Sequence, residues 1–147
     1  MSYQGCATVG NSVQGWDTAG MVQLTDTDGD GNLDCADNDD DGDGLPDPLE
    51  AELGTDPLDQ DTDDDGLSDG DEVTSTSTDP NNADTDGDGL SAFEEVGAGT
   101  SPCNIDSDGD GLCDGALTFA DCLGNEESAG TVPSNADTDG DGIGDGL

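Results

Sequence analysis

The stretch that decides the fold is Asp39-Asp40-Asp41-Gly42-Asp43-Gly44-Leu45-Pro46-Asp47-Pro48-Leu49-Glu50. Numbered 1 to 12, it carries acids at positions 1, 3, 5, 9 and 12 and glycine at position 6. Alternate residues of a tight loop point at one centre. Glycine at 6 permits the sharp turn, the position-7 carbonyl faces inward, and a carboxylate at 12 closes the shell. Such a shell suits Ca²⁺, a hard cation that takes six to eight oxygens at about 2.3–2.6 Å. The pattern recurs five more times, so the chain reads as a tandem array.

The loops begin at Asp26, Asp39, Asp61, Asp84, Asp106 and Asp137, so successive starts lie 13, 22, 23, 22 and 31 residues apart. Loop one supplies Asp26, Asp28, Asp30, Asp34 and Asp37 as metal ligands, with Gly31 at the turn. Loop two supplies Asp39, Asp41, Asp43, Asp47 and Glu50. Loop three supplies Asp61, Asp63, Asp65, Asp69 and Glu72, with Gly66. These three match the schedule in full. Loop four has Asp84, Asp86, Asp88 and Glu95, but Ala92 stands at position 9. Loop five has Asp106, Asp108, Asp110 and Asp114, but Leu117 falls at position 12, with Asp121 as a substitute across a bulge. Loop six has Asp137, Asp139, Asp141 and Asp145, and the sequence stops before its twelfth position. Loops five and six are therefore expected to bind more weakly.

Composition agrees that the ion replaces a core. The chain has 147 residues, 39 acids and no Lys, Arg or His, for a net charge of −39. No side-chain ion pair can offset that self-repulsion. Hydrophobic content of 29%, with Tyr3, Trp16, Phe93 and Phe119 as the aromatics, is too low for a sizeable core. Such a composition belongs to disordered chains unless cations come from solution; a solvated acidic tail needs charge but no spacing. Six Ca²⁺ would cancel 12 of the 39 charges and leave −27, so six or more ions are expected. Residues 37–43, where loop one closes and loop two opens, are placed to share ions.

Missing residue types exclude functions. There is no basic patch for nucleic acid, no histidine base, and no lysine for Schiff-base or P-loop chemistry. Carboxylate-only hydrolysis needs a walled cleft that this composition does not build, so no enzyme is expected. No stretch approaches the roughly 18 apolar residues of a membrane helix. The chain carries no positively charged secretion n-region, which reads as a mature product, a fragment, or a protein exported by no such route.

Residues 1–25 differ from the array: Asp17 is their only acid, and they hold the only Trp and Tyr. They are expected to form a cap or partner-binding arm, with a short strand over 18–25; residues 26–147 are the six-loop array. The spacers Gly54-Thr-Asp-Pro57, Ser77-Thr-Asp-Pro80 and Gly99-Thr-Ser-Pro102 rhyme, and proline in each forbids a continuing helix. Short helical turns are expected over 49–53 and 91–96.

An EF-hand loop places its large apolar residue at position 8. Here Leu45, Leu67, Leu90, Leu112 and Ile143 stand at position 7, and only loop one has Leu33 at 8. With Asp-x-Asp-Gly-Asp-Gly-Leu loops and Thr-Asp-Pro spacers, residues 26–147 closely resemble thrombospondin type 3 repeats, including those of microbial surface proteins. The resemblance implies a mostly irregular, calcium-stapled rod with short helical turns, little regular secondary structure and a minimal hydrophobic core. It also implies an extracellular or cell-surface location and often more than one ion per repeat.

Cys6, Cys35, Cys103, Cys113 and Cys122 match no zinc spacing. In a secreted, core-poor chain they read as disulfides. Cys6–Cys35 would pin the N-terminal segment to loop one. Another pair lies among Cys103, Cys113 and Cys122, with Cys113–Cys122 closing the insertion before loop six, and the fifth thiol is free or intermolecular.

Magnitudes favour the outside of the cell. A site with Kd near 10⁻⁴ M adds about 1.4 kcal/mol at roughly millimolar calcium. Six such sites reach about 8 kcal/mol, comparable to a whole domain's stability. The leading expectation is an extracellular calcium-binding structural protein, a rigid spacer, stalk or filament subunit. The alternative is a calcium-dependent protein-binding or adhesion module, dockerin-like or EF-hand-like. A sensor is disfavoured, because an apolar groove has only Met1 and Met21 to draw on. Head-to-tail contact through residues 1–25 that completes loop six would give a filament; an excerpt from a longer repeat protein explains the abrupt end equally well.

Overall fold

In a computed structural model of the chain, the backbone of residues 5–9, 12–16, 25–116 and 122–146 is described, with side chains for 25–116, 122–126 and 129–146. The six loops share one backbone solution. Aspartate is short enough to accept from a backbone N–H two residues on. Accordingly the position-3 carboxylate accepts the position-5 N–H in every loop, at 2.9–3.2 Å. The position-5 carboxylate accepts the position-7 N–H in every loop, at 2.7–2.9 Å. Each loop is then closed by the position-9 N–H, which donates to the carbonyl just before position 1 at 2.9–3.1 Å. Loop six closes in this way too, Asp145 to Ala136 at 3.0 Å.

Two residues per loop are left-handed, at positions 4 and 6. Position 6 was legible as a glycine requirement; position 4 adds a second. Gly42 has φ 77°, and a Cβ there would also lie 2.8 Å from Asp28 Oδ2. Loop three alone uses Asp64 at position 4, with φ 61°. Aspartate tolerates this region because its side chain bonds locally.

Short helices stand before the spacers, as expected over 49–53 and 91–96, and they start at position 9. α1 spans Asp47–Leu53, starts after Pro46, and ends at Gly54 with φ 91°. α3 spans Ala92–Ala98; Ser91 and Glu94 form a reciprocal capping box, and Gly99 ends the helix at φ 84°. Between them lies α2, Asp69–Asp71, continued by a π turn over Glu72–Thr76. The extra residue before this second spacer explains that turn. Glu50 and Glu95 precede their spacer threonines by five residues, whereas Glu72 precedes Thr78 by six. The Ser77 N–H therefore reaches back five residues to the Glu72 carbonyl at 2.7 Å, and Ser77 takes the left-handed place, φ 64°, that glycine fills elsewhere.

The spacers are tied forward to the next loop by a hydroxyl at its position 2. The N–H groups of Asp56, Asp79, Ser101 and Val132 donate to Thr62, Thr85, Ser107 and Thr138 at 2.7–3.1 Å. Near the C-terminal end, β3 (Leu112–Cys113) pairs in parallel with β4 (Gly124–Asn125), and α4 follows at Glu126–Ala129. The Cys113–Cys122 disulfide closes the insertion, with Cα atoms 5.6 Å apart. Cys103 is free and exposed. Cys35 is disulfide-bonded; its expected partner Cys6 lies outside the described side chains.

At the N-terminus, β1 (Gly5–Val9) and β2 (Ser12–Trp16) form an antiparallel hairpin, with Gly5 opposite Trp16 and Val9 opposite Ser12. The alternation in the sequence points to a strand over 18–25 instead. That range, apart from Thr25, lies outside the described residues. The missed signal was Gly10-Asn11 between two runs of β-forming residues.

The chain divides into two compact units: the described residues of Met1–Thr62 with Ser68–Asp71, and Asp63–Leu67 with Glu72–Leu147. Among the described residues neither has a conventional core. Among the described residues the buried hydrophobic side chains are Leu45, Ala92, Leu112 and Cys113, whereas the buried acids include Asp41, Glu50, Asp69, Glu72, Asp88, Glu95, Asp114 and Glu126. The interior is made of carboxylates. None of the described helices is long and apolar enough to cross a membrane.

Candidate metal centres

The loop bonds above use one oxygen of each position-3 and position-5 aspartate and turn the carboxylates inward. The acids meet in groups whose oxygens lie within 4.8 Å of one another: Asp26, Asp28 and Asp30; Asp39, Asp41 and Asp43; Asp84, Asp86 and Asp88. A fourth group differs in kind. Asp88, Glu95 and Asp114 are all buried and come from position 5 and position 12 of loop four and position 9 of loop five. It lies between consecutive loops rather than inside one.

Buried carboxylate oxygens in loops two, four and five lack a protein partner. They are Asp41 Oδ2 and both Glu50 oxygens in loop two, Asp86 Oδ2 and both Glu95 oxygens in loop four, and Asp108 Oδ2 and Glu126 Oε1 in loop five. A buried carboxylate without a counter-charge is strongly unfavourable, and this chain has no cation to give. Oxygen-only, acid-rich, converging ligands fit Ca²⁺.

Proton affinity tells the same story. Burial, and then the neighbouring carboxylates, push Glu95 up to about 8, with Asp86, Asp88 and Asp114 the nearest charges. Burial and Asp41, Asp43, Asp47 and Asp69 raise Glu50 to about 7. Burial and Asp110, Asp108, Asp145 and Asp114 raise Glu126 to about 7. Asp41 rises to about 6 for the same first cause. Asp86, Asp108 and Asp114 are raised as well. In every case desolvation leads, so a divalent ion that takes the place of water removes the cause.

Glu126 was missed by sequence analysis, which looked to Leu117 and Asp121; both lie outside the described residues. Glu126 is 1% exposed and stands to loop five as Glu50 and Glu95 stand to loops two and four. The signal was present: Glu-x-x-x-Gly-Thr-x-Pro occurs at 50–57, 95–102 and 126–133. In each copy the glutamate carbonyl accepts from the glycine N–H, at 2.7, 2.8 and 2.7 Å. The Thr131 hydroxyl additionally donates to Glu126 Oε2. The nine extra residues of loop five are an insertion between its ninth and its closing ligand.

Asp40 was also missed. Loops one and three to six carry Thr or Ser at position 2, and only loop two carries an acid there. With no spacer before loop two, no hydroxyl is needed to receive one. Asp40 Oδ1 is buried without a partner, and burial, then Asp47, Asp34, Asp37 and Asp41, raise the group to about 6. Asp40 lies within the acidic run 37–43 that loops one and two were expected from sequence to share.

The position-9 aspartates have a second task. Asp34, Asp47, Asp69, Asp114 and Asp145 each accept the position-2 N–H of their own loop, at 2.9–3.1 Å. In loop four Ala92 offers no carboxylate and is fully buried instead. Loop three is divided between the two units. Asp61 and Asp69 belong to the first; Asp63, Asp65 and Glu72 to the second. The ends of the array are open: Asp26, Asp28 and Asp30 are exposed, as are Asp139 and Asp141, while Asp37, Asp39, Asp84, Asp106 and Asp137 are half-buried.

A family model described as the bacterial TSP3 repeat matches residues 39–60, 61–83, 84–104 and 106–116, which are loops two, three and four with their spacers and most of loop five. No curated protein and no solved structure matches the chain. TSP3 repeats are calcium-binding modules, and the match covers more than half of the sequence. The chain belongs to the bacterial TSP3 repeat family.

Proposed function

We infer that the chain is an extracellular, non-enzymatic structural protein whose fold depends on Ca²⁺, serving as a stiff spacer, stalk or filament subunit. The observation that carries this reading is the buried set Asp88, Glu95 and Asp114 with both Glu95 oxygens unpartnered, in a chain without a single cation. Acids occupy the place of a core, so the metal is structural rather than signalling. Two kinds of position are available: inside a loop, and between the fifth and twelfth ligands of one loop and the ninth of the next. The second kind takes the ion count above six.

Calorimetric titration of the metal-stripped chain tests this. The expected result is more than six Ca²⁺ per chain, with half-saturation near 10⁻⁴–10⁻³ M, the range of extracellular modules. Saturation by a few ions at sub-micromolar calcium would sink the extracellular structural reading in favour of a cytosolic buffer.

A further inference from the structure

The position-5 aspartates carry a bond that the ligand schedule does not require. One oxygen of each takes the position-7 N–H of its own loop. The other, in loops two to five, accepts a backbone N–H from position 10 of the following loop. Gly70 donates to Asp43 at 2.5 Å, Phe93 to Asp65 at 3.1 Å, Gly115 to Asp88 at 2.6 Å, and Gly146 to Asp110 at 3.0 Å. Three of the four donors are glycines, and space accounts for them. A Cβ on Gly70 would strike the Asp43 carbonyl oxygen, one on Gly115 the side chain and carbonyl of Asp88, and one on Gly146 the Asp110 carbonyl oxygen.

Loop one departs from the pattern and compensates. Position 10 of loop two is Pro48, which has no N–H to give. The second oxygen of Asp30 accepts instead from the side-chain amide of Asn32, in its own loop, at 2.9 Å. Asn32 occupies position 7, where the other five loops carry Leu or Ile.

We propose that the position-10 N–H is a positioning group for the metal site of the preceding loop, so that coupling along the array runs from each loop back to the one before it. This rests on the calcium reading above. A carboxylate held at both oxygens is fixed in orientation within the folded loop, and donors that orient a ligand in this way change metal affinity by roughly 10–100-fold. Loop one, with Asn32 in place, draws no position-10 N–H from its successor.

The test is a Ca²⁺ titration of the full-length chain followed through the amide resonances of Gly89 and Gly111, the position-6 glycines of loops four and five. In Gly115→Ala the Gly89 midpoint should rise by roughly 10–100-fold, while the Gly111 midpoint stays in place. Equal shifts of both, a shift of Gly111 alone, or no shift overturns the proposal. A second pair of variants isolates the N–H itself. Phe93→Pro removes it at the second residue of α3, where α1 already carries Pro48, so the helix tolerates the ring; Phe93→Ala keeps it. Phe93→Pro should raise the midpoint of Gly66 in loop three, and Phe93→Ala should restore most of the affinity. Equal effects of the two variants overturn the proposal. Wild-type glycine resonances that ignore calcium would instead overturn the calcium reading and the proposal with it.

Discussion

Stripped of calcium at pH 8, the chain loses the order of loops two to five, and acidification toward pH 5 restores part of it. The sign follows from the raised carboxylates. Glu50, Glu95 and Glu126 have folded-state values of about 7, 8 and 7, above the ordinary 4.5. A raised acid is one that the fold prefers protonated. Its stabilising contribution is full below pH 4.5 and is lost as pH climbs through 7 to 8. Calcium reverses the trend, because it binds only the ionised ligands: affinity falls as pH drops below about 7, and binding at pH 7 releases protons. Dispersion of the amide spectrum, recorded in chelator at pH 8 and pH 5, reads the first effect; unbuffered calorimetry with a pH electrode reads the second. The triple variant Glu50→Gln, Glu95→Gln, Glu126→Gln separates the two. It carries neutral side chains of the same shape, so without metal at pH 8 it should be more ordered than wild type, and with calcium less. A variant less ordered in both conditions would contradict a carboxylate interior held together by metal.

Glu126→Gln alone should disable loop five. Removing one charged partner from a buried pair costs about 2 kcal/mol or more, roughly thirtyfold in affinity. The matching change at Asp121, the expected substitute for the twelfth ligand, should leave that affinity unaltered. The disulfide bears on the same site. Cys113 is the eighth residue of loop five, and its bond to Cys122 draws the inserted residues back to where β4 leads into Glu126. Replacing both cysteines by serine should therefore weaken loop five in the same direction as Glu126→Gln, and the Gly111 amide resonance reports both. Unchanged Gly111 titration in Glu126→Gln would mean that loop five is closed by another residue.

Much of this architecture was legible because it is local. The Asp-x-Asp-Gly-Asp-Gly run sets its own turns through side-chain to backbone bonds, so loop starts and the helical turns before the spacers followed from spacing, and the scarcity of apolar core from composition. What was hidden depends on residues far apart in sequence. Glu126 is displaced from its loop by an insertion, and counting to twelve from Asp106 cannot reach it; only the Glu-x-x-x-Gly-Thr-x-Pro rhyme could. Asp40 looked like one more acid in an acidic run until position 2 was seen to be a hydroxyl position in the other five loops. The position-10 glycines gave no signal, since their reason is a neighbouring loop's backbone. Loop one, whose ligand set matches in full, proved more exposed than loop four, which lacks a ninth ligand. Ligand count and burial are separate properties, and only the first is written in the spacing.

The central claim is that calcium takes the place of the core, and small-angle scattering on the metal-stripped chain, titrated with Ca²⁺ and in parallel with Mg²⁺, tests it most directly. The account predicts an expanded coil that contracts to a defined particle as calcium approaches millimolar, with no such change in magnesium, which holds its water and demands a smaller octahedral shell. Growth of particle mass at fixed calcium would add self-association to the structural role. A chain that binds calcium yet keeps the dimensions of an expanded coil would contradict the account.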